Sequence, residues 1–282
     1  MTKIAIVTDS SACIPSNLLT KYHISVAPLL LLWDNNHFED GIDIQPVDFY
    51  AKLKASKSFP TTSQATVSKF TDIYSDLLNQ GFEILTIVIS SKLSGTLDSA
   101  TQAARAFPDA RIELIDSLTT SVPLQYLVLK AARAAKEGAS IEECRSLVET
   151  AVSKIKVFFA VDTLTYLHKG GRINSASRFL GTALDLKPIL ELSDGKIEAL
   201  EKVRTSKKAQ ARLLELIEKD LGDNCTPDFI GVISADADTA SDTLLTQLRS
   251  RFNPVEFMVA TLSPVLGAHT GPGTVGIAYL KT

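Results

Sequence analysis

The sequence predicts an α/β protein in two parts: an N-terminal parallel-sheet α/β domain over residues 1–155, and a C-terminal α+β domain with a largely antiparallel sheet over residues 156–282. Three observations predict this. In the first part, continuous β-branched runs alternate with amphipathic segments, the pattern of parallel strands covered by helices on both faces. In the second part strand-like runs crowd together, and two of them are joined by Ser193-Asp194-Gly195-Lys196, a hairpin turn because Asp-Gly tolerates positive φ. The length of 282 residues with 45% hydrophobic content is enough for two cores.

Taken in order, residues 4–7 form the first strand, broken by Asp9-Ser10-Ser11, and Pro15 opens a helix. Residues 24–32, 84–90 and 111–115 are further apolar strands of the same sheet, with helices over 69–80 and 97–106 between them. A helix over 141–155 starts with a capping box, in which the Ser140 hydroxyl accepts from the amide of Glu143 while its carboxylate reaches back. Strands are then expected at 157–161, 188–192, 197–203, 229–234, 255–262 and 275–280. No low-complexity linker separates the parts, so they are expected to share a large interface. Phe158, Phe159, Phe179 and Leu184 read as ordinary core.

Composition excludes several classes. Lys and Arg number 29 against 32 Asp and Glu, net charge −3, with no basic patch interleaved with aromatics, so a nucleic-acid surface is not indicated. Cys13, Cys144 and Cys225 are far apart and follow no metal-ligand spacing, which argues against disulfides and structural zinc. No apolar run reaches the length of a membrane span and no signal-peptide pattern opens the chain. The expectation is a cytoplasmic protein without a bound metal.

Four polar segments follow apolar runs, where an α/β sheet places its ligands: Asp9-Ser10-Ser11, the loop Pro60-Thr61-Thr62-Ser63-Gln64, the stretch from Ser90 to Thr96, and Asp116-Ser117. The first and last also fit helix caps. At Ser94-Gly95-Thr96 glycine permits close approach, and the following helix offers free N–H groups to an anion; a tight turn with a hydroxyl cap explains the same residues. Three adjacent hydroxyls at Thr61, Thr62 and Ser63 exceed what one cap needs. Residues 267–273 form a glycine-dense loop carrying His269; the match of 271–276 to G-x-G-x-x-G has no following helix to hold a pyrophosphate. In Lys169-Gly170-Gly171-Arg172-Ile173 the arginine either meets a phosphate or carboxylate, or is solvated behind a helix ended by Gly170 in the left-handed conformation. His23, His37 and His168 have no partner at a useful spacing and read as surface or structural.

Together Ile6-Val7-Thr8-Asp9-Ser10, Thr62-Ser63-Gln64, Leu93-Ser94-Gly95-Thr96, the 169–173 segment and the 267–273 segment with His269 resemble the DegV family, whose characterised members are the fatty-acid-binding subunits of bacterial fatty acid kinase. The resemblance covers the whole chain; the family's usual Thr-Ser-Gln-Pro-Ser continues here with Ala65 and Thr66. It implies a long-chain fatty acid held between the two domains, its carboxyl group at Thr62, Ser94 and His269 with Thr61 beside them. It further implies that Arg172 serves an ATP-dependent kinase subunit, related to dihydroxyacetone kinases, that converts the bound acid to acyl phosphate for phospholipid synthesis. By this reading the chain is not a complete enzyme, has no cofactor beyond its lipid, and meets membranes only as transient surface contact. Two alternatives differ in class: a stand-alone acyl-transfer hydrolase using Ser94 or Cys13 with His269, distinguished by turnover without a second protein, and a lipid-responsive sensor module, distinguished by the absence of partner-dependent acyl phosphate.

Overall fold

The computed structural model describes residues 3–179, 186–222 and 226–281; Leu184 and Cys225 lie outside the described residues. The first half runs β1 (Lys3–Asp9), α1 (Ser16–Tyr22), β2 (Ser25–Ala27), β3 (Leu30–Trp33), β4 (Asn36–Glu39), α2 (Pro46–Ala55), β5 (Thr61–Ser63), α3 (Val67–Asn79), β6 (Phe82–Val88), α4 (Thr96–Ala104), β7 (Ile112–Asp116), α5 (Ser121–Lys136) and α6 (Ile141–Val152). The second half runs β8 (Ile155–Ala160), α7 (Thr165–Lys169), β9 (Lys187–Ser193), β10 (Lys196–Val203), α8 (Ser206–Leu221), β11 (Phe229–Ala235), α9 (Asp238–Arg251), β12 (Glu256–Thr261), α10 (Pro264–Thr270) and β13 (Thr274–Leu280).

The fold class read from the sequence is the one observed. Strands β2-β1-β6-β7 form a parallel sheet, and β10-β9-β8-β13-β11-β12 form a mixed one, antiparallel except where β11 lies beside β12. The hairpin turn has Asp194 at φ 48 and Gly195 at φ 79, as its Asp-Gly chemistry requires. The capping box of α6 is formed in both directions.

Three expectations change. The apolar stretch 24–32 is two strands: Pro28, which has no N–H to give to a ladder, ends β2, and β3 leaves for a small antiparallel sheet β4-β3-β5. The segment 60–64 is therefore not a loop, because Thr61–Ser63 pair with β3. Residues 267–270 are not a loop either but the end of α10, started by Pro264. Its Gly267 provides contact rather than flexibility: a Cβ there would meet the Tyr50 hydroxyl of α2 at 2.5 Å.

Helix α5 has no polar face over its first nine residues; Ser121 to Leu129 are all buried. It packs on β1 and β6 on one side and on β11, β12 and β13 on the other, so both sheets share it as a middle layer. A helix surrounded in this way carries no amphipathic stripe, and its run VPLQYLVL shows none. Polar ties cross the same interface: Tyr50 Oη donates to the Leu262 carbonyl at 3.1 Å, Val265 N to Asp40 Oδ1 at 3.2 Å, Ser90 Oγ to the Gly195 carbonyl at 2.8 Å, and Arg133 grips Glu256 through two bonds of 2.8 and 2.9 Å.

Candidate functional site

A cavity of about 190 Å³ lies between the halves. Leu29, Ile89 and Leu93 line it from the first half, and Val157, Ile197, Ile233, Leu262, Val265 and Leu266 from the second. Phe159, read from the sequence as plain core, is 8% exposed and also forms part of this wall; Phe158 packs in the separate core under α8 and α9.

Four of the five expected site residues meet at the cavity, each brought by a different element. Thr62 is placed by its pairing with Leu31 in the small sheet. Ser94 closes the turn after β6, where its amide donates to the Ser90 carbonyl at 3.1 Å, and its hydroxyl contacts that of Thr96 at 2.9 Å. At Gly95 a Cβ would lie 2.5 Å from the amide group of Gln64, the movable end of an exposed side chain. His269 arrives on the last turn of α10 and sets Nε2 2.7 Å from the Thr62 hydroxyl. Arg172 bonds the Leu93 carbonyl at 3.0 Å through Nε and the Gly170 carbonyl at 2.7 Å through Nη1.

Thr61 is exposed and lies outside the cavity wall, while Thr62, Ser63 and Gln64 beside it form part of that wall. The glycine pair is also read differently once seen. Gly171, at φ 71, takes the left-handed position that ends α7, with the Arg172 amide reaching back to the Leu167 carbonyl at 3.0 Å, the pattern of a Schellman cap. Gly170 is right-handed and serves proximity: a Cβ there would lie 2.0 Å from His269 Nδ1. Arg172 is consequently neither solvated nor free, but pinned across the two halves.

Burial, with the nearby Arg172 charge as a smaller cause, pushes the pKa of His269 down to about 4. The imidazole is therefore neutral at pH 7 and stays so on mild acidification, since protonation sets in only as the pH falls toward 4. An NMR titration of the ligand-free protein is expected to give His269 an apparent pKa near 4; a midpoint near 6.5, the ordinary value for histidine, would contradict a buried neutral ring.

The other polar segments are structural. Asp9 accepts from Ser11 N at 2.9 Å and Ile89 N at 2.7 Å, and Asp116 Oδ1 from Ser91 N at 3.1 Å and Leu118 N at 3.0 Å, so both carboxylates tie strand ends together. Cys13 donates to the Ser11 carbonyl at 3.4 Å, and burial pushes its thiol up to about 12, the reverse of what activates a nucleophile. His269 pairs with Thr62, not with Ser94 or Cys13, so the nucleophile–base pair of a hydrolase is not what these contacts form. His23, His37 and His168 are exposed. Sequence reading missed Thr120 and Ser121, which also line the cavity. Their signal, a run of hydroxyl residues after an apolar strand, is the one present at 61–63.

Comparison with known proteins agrees with this geometry. A DegV domain-containing protein of Caldanaerobacter subterraneus is 37% identical over 279 residues, 99% of each chain. Among solved structures, a DegV family protein from Thermus thermophilus described for its fatty acid binding has a TM-score of 0.91 at 33% identity, covering 99% of this chain and 100% of its own. A stearic-acid-binding protein from Eubacterium ventriosum has a TM-score of 0.91 at 26% identity, covering 100% and 98%. The family described as "Uncharacterised protein, DegV family" matches residues 3–282, and the chain belongs to the DegV family.

Proposed function

We propose that the chain is a carrier for a long-chain fatty acid, which it offers to an ATP-dependent kinase subunit for conversion to an acyl phosphate that feeds phospholipid synthesis in the cytoplasm. The observation that carries the first part is the cavity itself: apolar walls supplied by both halves, with Thr62, Ser94 and His269 gathered on it. The structural neighbours described as fatty acid binding support it.

Burial of about fifteen methylenes at ~0.8 kcal/mol each supplies on the order of 10 kcal/mol before the costs of association. The tail thus provides affinity, and the head must be satisfied. A carboxylate out of water needs convergent donors, and the two hydroxyls with a neutral imidazole provide them without a buried positive charge in direct contact. The pinned guanidinium of Arg172 fits a role toward the partner, as a fixed cation beside the oxygen that would attack the γ-phosphate or as a docking contact; in-line phosphoryl transfer is chiefly a matter of such positioning and charge.

Chloroform extraction and mass spectrometry of the purified protein are expected to recover a long-chain fatty acid near equimolar amount; recovery of none, with a nucleotide or sugar bound instead, overturns the carrier reading. Thr62→Val and Ser94→Ala are each expected to weaken fatty-acid binding about tenfold or more, the worth of a hydrogen bond to a charged group, as measured by titration of delipidated protein. Arg172→Ala is expected to retain lipid and lose acyl-phosphate formation with the kinase subunit; loss of lipid instead would move Arg172 into the head-group site.

A further inference from the structure

Helix α10 brings Val265, Leu266 and His269 to the cavity wall, yet its own first turn is poorly provided for. Pro264 opens it, and the residue before, Ser263, gives no side-chain cap. The amide of Val265 donates instead to Oδ1 of Asp40 at 3.2 Å, 225 positions away in the first half. Asp40 is itself held in place. Its amide donates to the carbonyl of Leu29, another residue of the wall, at 2.9 Å, and it forms a bridge with Ile44. One carboxylate thus ties the end of the small sheet to the start of the helix that carries the imidazole of the mouth.

Asp40 is 2% exposed. The ionisable groups that face it are Asp9 and Cys13, from β1 and the turn that follows, and Tyr50 from α2; α10 itself adds only His269, at its far end. None of the three facing groups is a cation. Burial is the main cause that pushes the Asp40 carboxyl up to about 6, opposed by the hydroxyls of Ser10 and Ser263 and the Val265 amide, with the Asp9 charge adding a smaller push upward. A buried carboxylate without a counter-charge is costly. Because its pKa lies above the ~3.9 of an unfolded chain, that cost is fully present above pH 6 and is relieved as the pH falls through this value. A neutral side chain of the same shape would avoid it. What only the charged form supplies is a stronger grip, since a carboxylate accepts from an amide about twice as strongly as a neutral group does.

We propose that Asp40 is a positioning residue for the head-group site: its carboxylate seats the start of α10 so that Val265, Leu266 and His269 meet the bound acid, and its protonation slackens that seat, so that the carrier holds its lipid less tightly in mildly acidic surroundings. This rests on the carrier reading above and adds to it a residue outside the cavity wall.

The test compares the full-length delipidated protein with its Asp40→Asn variant, which keeps the shape and removes the charge, by stearate titration at about pH 7.5 and about pH 5.5 and by thermal melting. Ionisation of stearate affects both proteins alike, and His269, with its pKa at about 4, stays neutral throughout. The wild type is expected to bind about tenfold more tightly than the variant at the higher pH, the difference between a charged and a neutral hydrogen bond. At the lower pH the ratio is expected to shrink to about threefold, as linkage requires of a group that titrates near 6, while Asp40→Asn melts at the same or a higher temperature. A carboxyl carbon NMR titration of the wild type gives the same answer without a variant: the Asp40 midpoint is expected near 6 in the empty protein and about one pH unit lower with stearate bound. An affinity ratio unchanged between the two pH values, equal affinities, a variant that binds weakly and also melts lower, or an Asp40 midpoint that stearate does not move each overturns the proposal and leaves the carrier reading intact. Failure of the wild type to bind stearate at either pH overturns both.

Discussion

Leu266→Trp is expected to leave the protein folded and nearly empty of lipid. Leu266 lies on α10, three residues before His269 and hence on the same side of the helix, is 9% exposed, and lines the cavity. The added indole volume has open space to enter, so the stability cost stays within the ~1–3 kcal/mol usual for overpacking. The acyl chain, however, depends on that same space for on the order of 10 kcal/mol. Extracted fatty acid should fall from near equimolar to a small fraction, while the melting transition shifts by several degrees. A tryptophan variant that still purifies with a full complement of lipid would place the tail somewhere other than this cavity.

Gly170→Ala should damage the mouth far more than its single methyl suggests. The new Cβ would sit 2.0 Å from His269 Nδ1 and 2.8 Å from Cε1, and the ring has little room to yield because Thr62 holds Nε2 at 2.7 Å. Any retreat of the backbone instead shifts the Gly170 carbonyl on which Arg172 rests. Two head-group contacts at about 1–2 kcal/mol each correspond to a loss of roughly thirtyfold to several hundredfold in affinity. The neighbouring substitution is the control: at Gly171 nothing lies within 4 Å of a Cβ, but φ is 71, so Gly171→Ala should cost about 1–2 kcal/mol of stability through backbone strain with a smaller effect on binding. Equal fatty-acid affinities for the two variants would remove the contact between Gly170 and His269 from the account.

What was legible in the sequence follows from which forces act locally. The β-branched runs other than 24–32, the Asp194-Gly195 turn and the Ser140–Glu143 box depend on residues within a few positions of each other, and they form as read. Helix α5 was not legible, because burial on every side removes the periodicity by which a helix is recognised. The small sheet of β3, β4 and β5 was hidden by its brevity and by Pro28, whose effect on pairing depends on where the next strand goes. At the site, Thr62, Ser94, Arg172 and His269 were visible as small, hydroxyl or charged residues after apolar elements, although the element carrying His269 was misread because Gly267 suggested a loop. Thr61, next to Thr62 in the strand, lies outside the cavity wall. The role of Gly170 could not be seen from one dimension at all, since it is set by a ring 99 positions along the chain, the separation of residues 170 and 269.

The central placement of α5 also limits how cargo gets in and out. Val122 lies so close to Gly231 that a Cβ there would meet it at 2.3 Å, and Tyr126 stacks on Phe229 with ring centroids 4.2 Å apart. Swinging the halves apart like a clamshell would strip this helix from one of its neighbours, at ~1.5–3 kcal/mol per large apolar side chain uncovered, a cost that rivals the 5–15 kcal/mol that keeps a domain folded. Exchange must therefore be a matter of loosening the rim while the hinge line stays shut, and its rate should respond to substitutions near Thr62 and Arg172 much more than to those along the spine of the molecule.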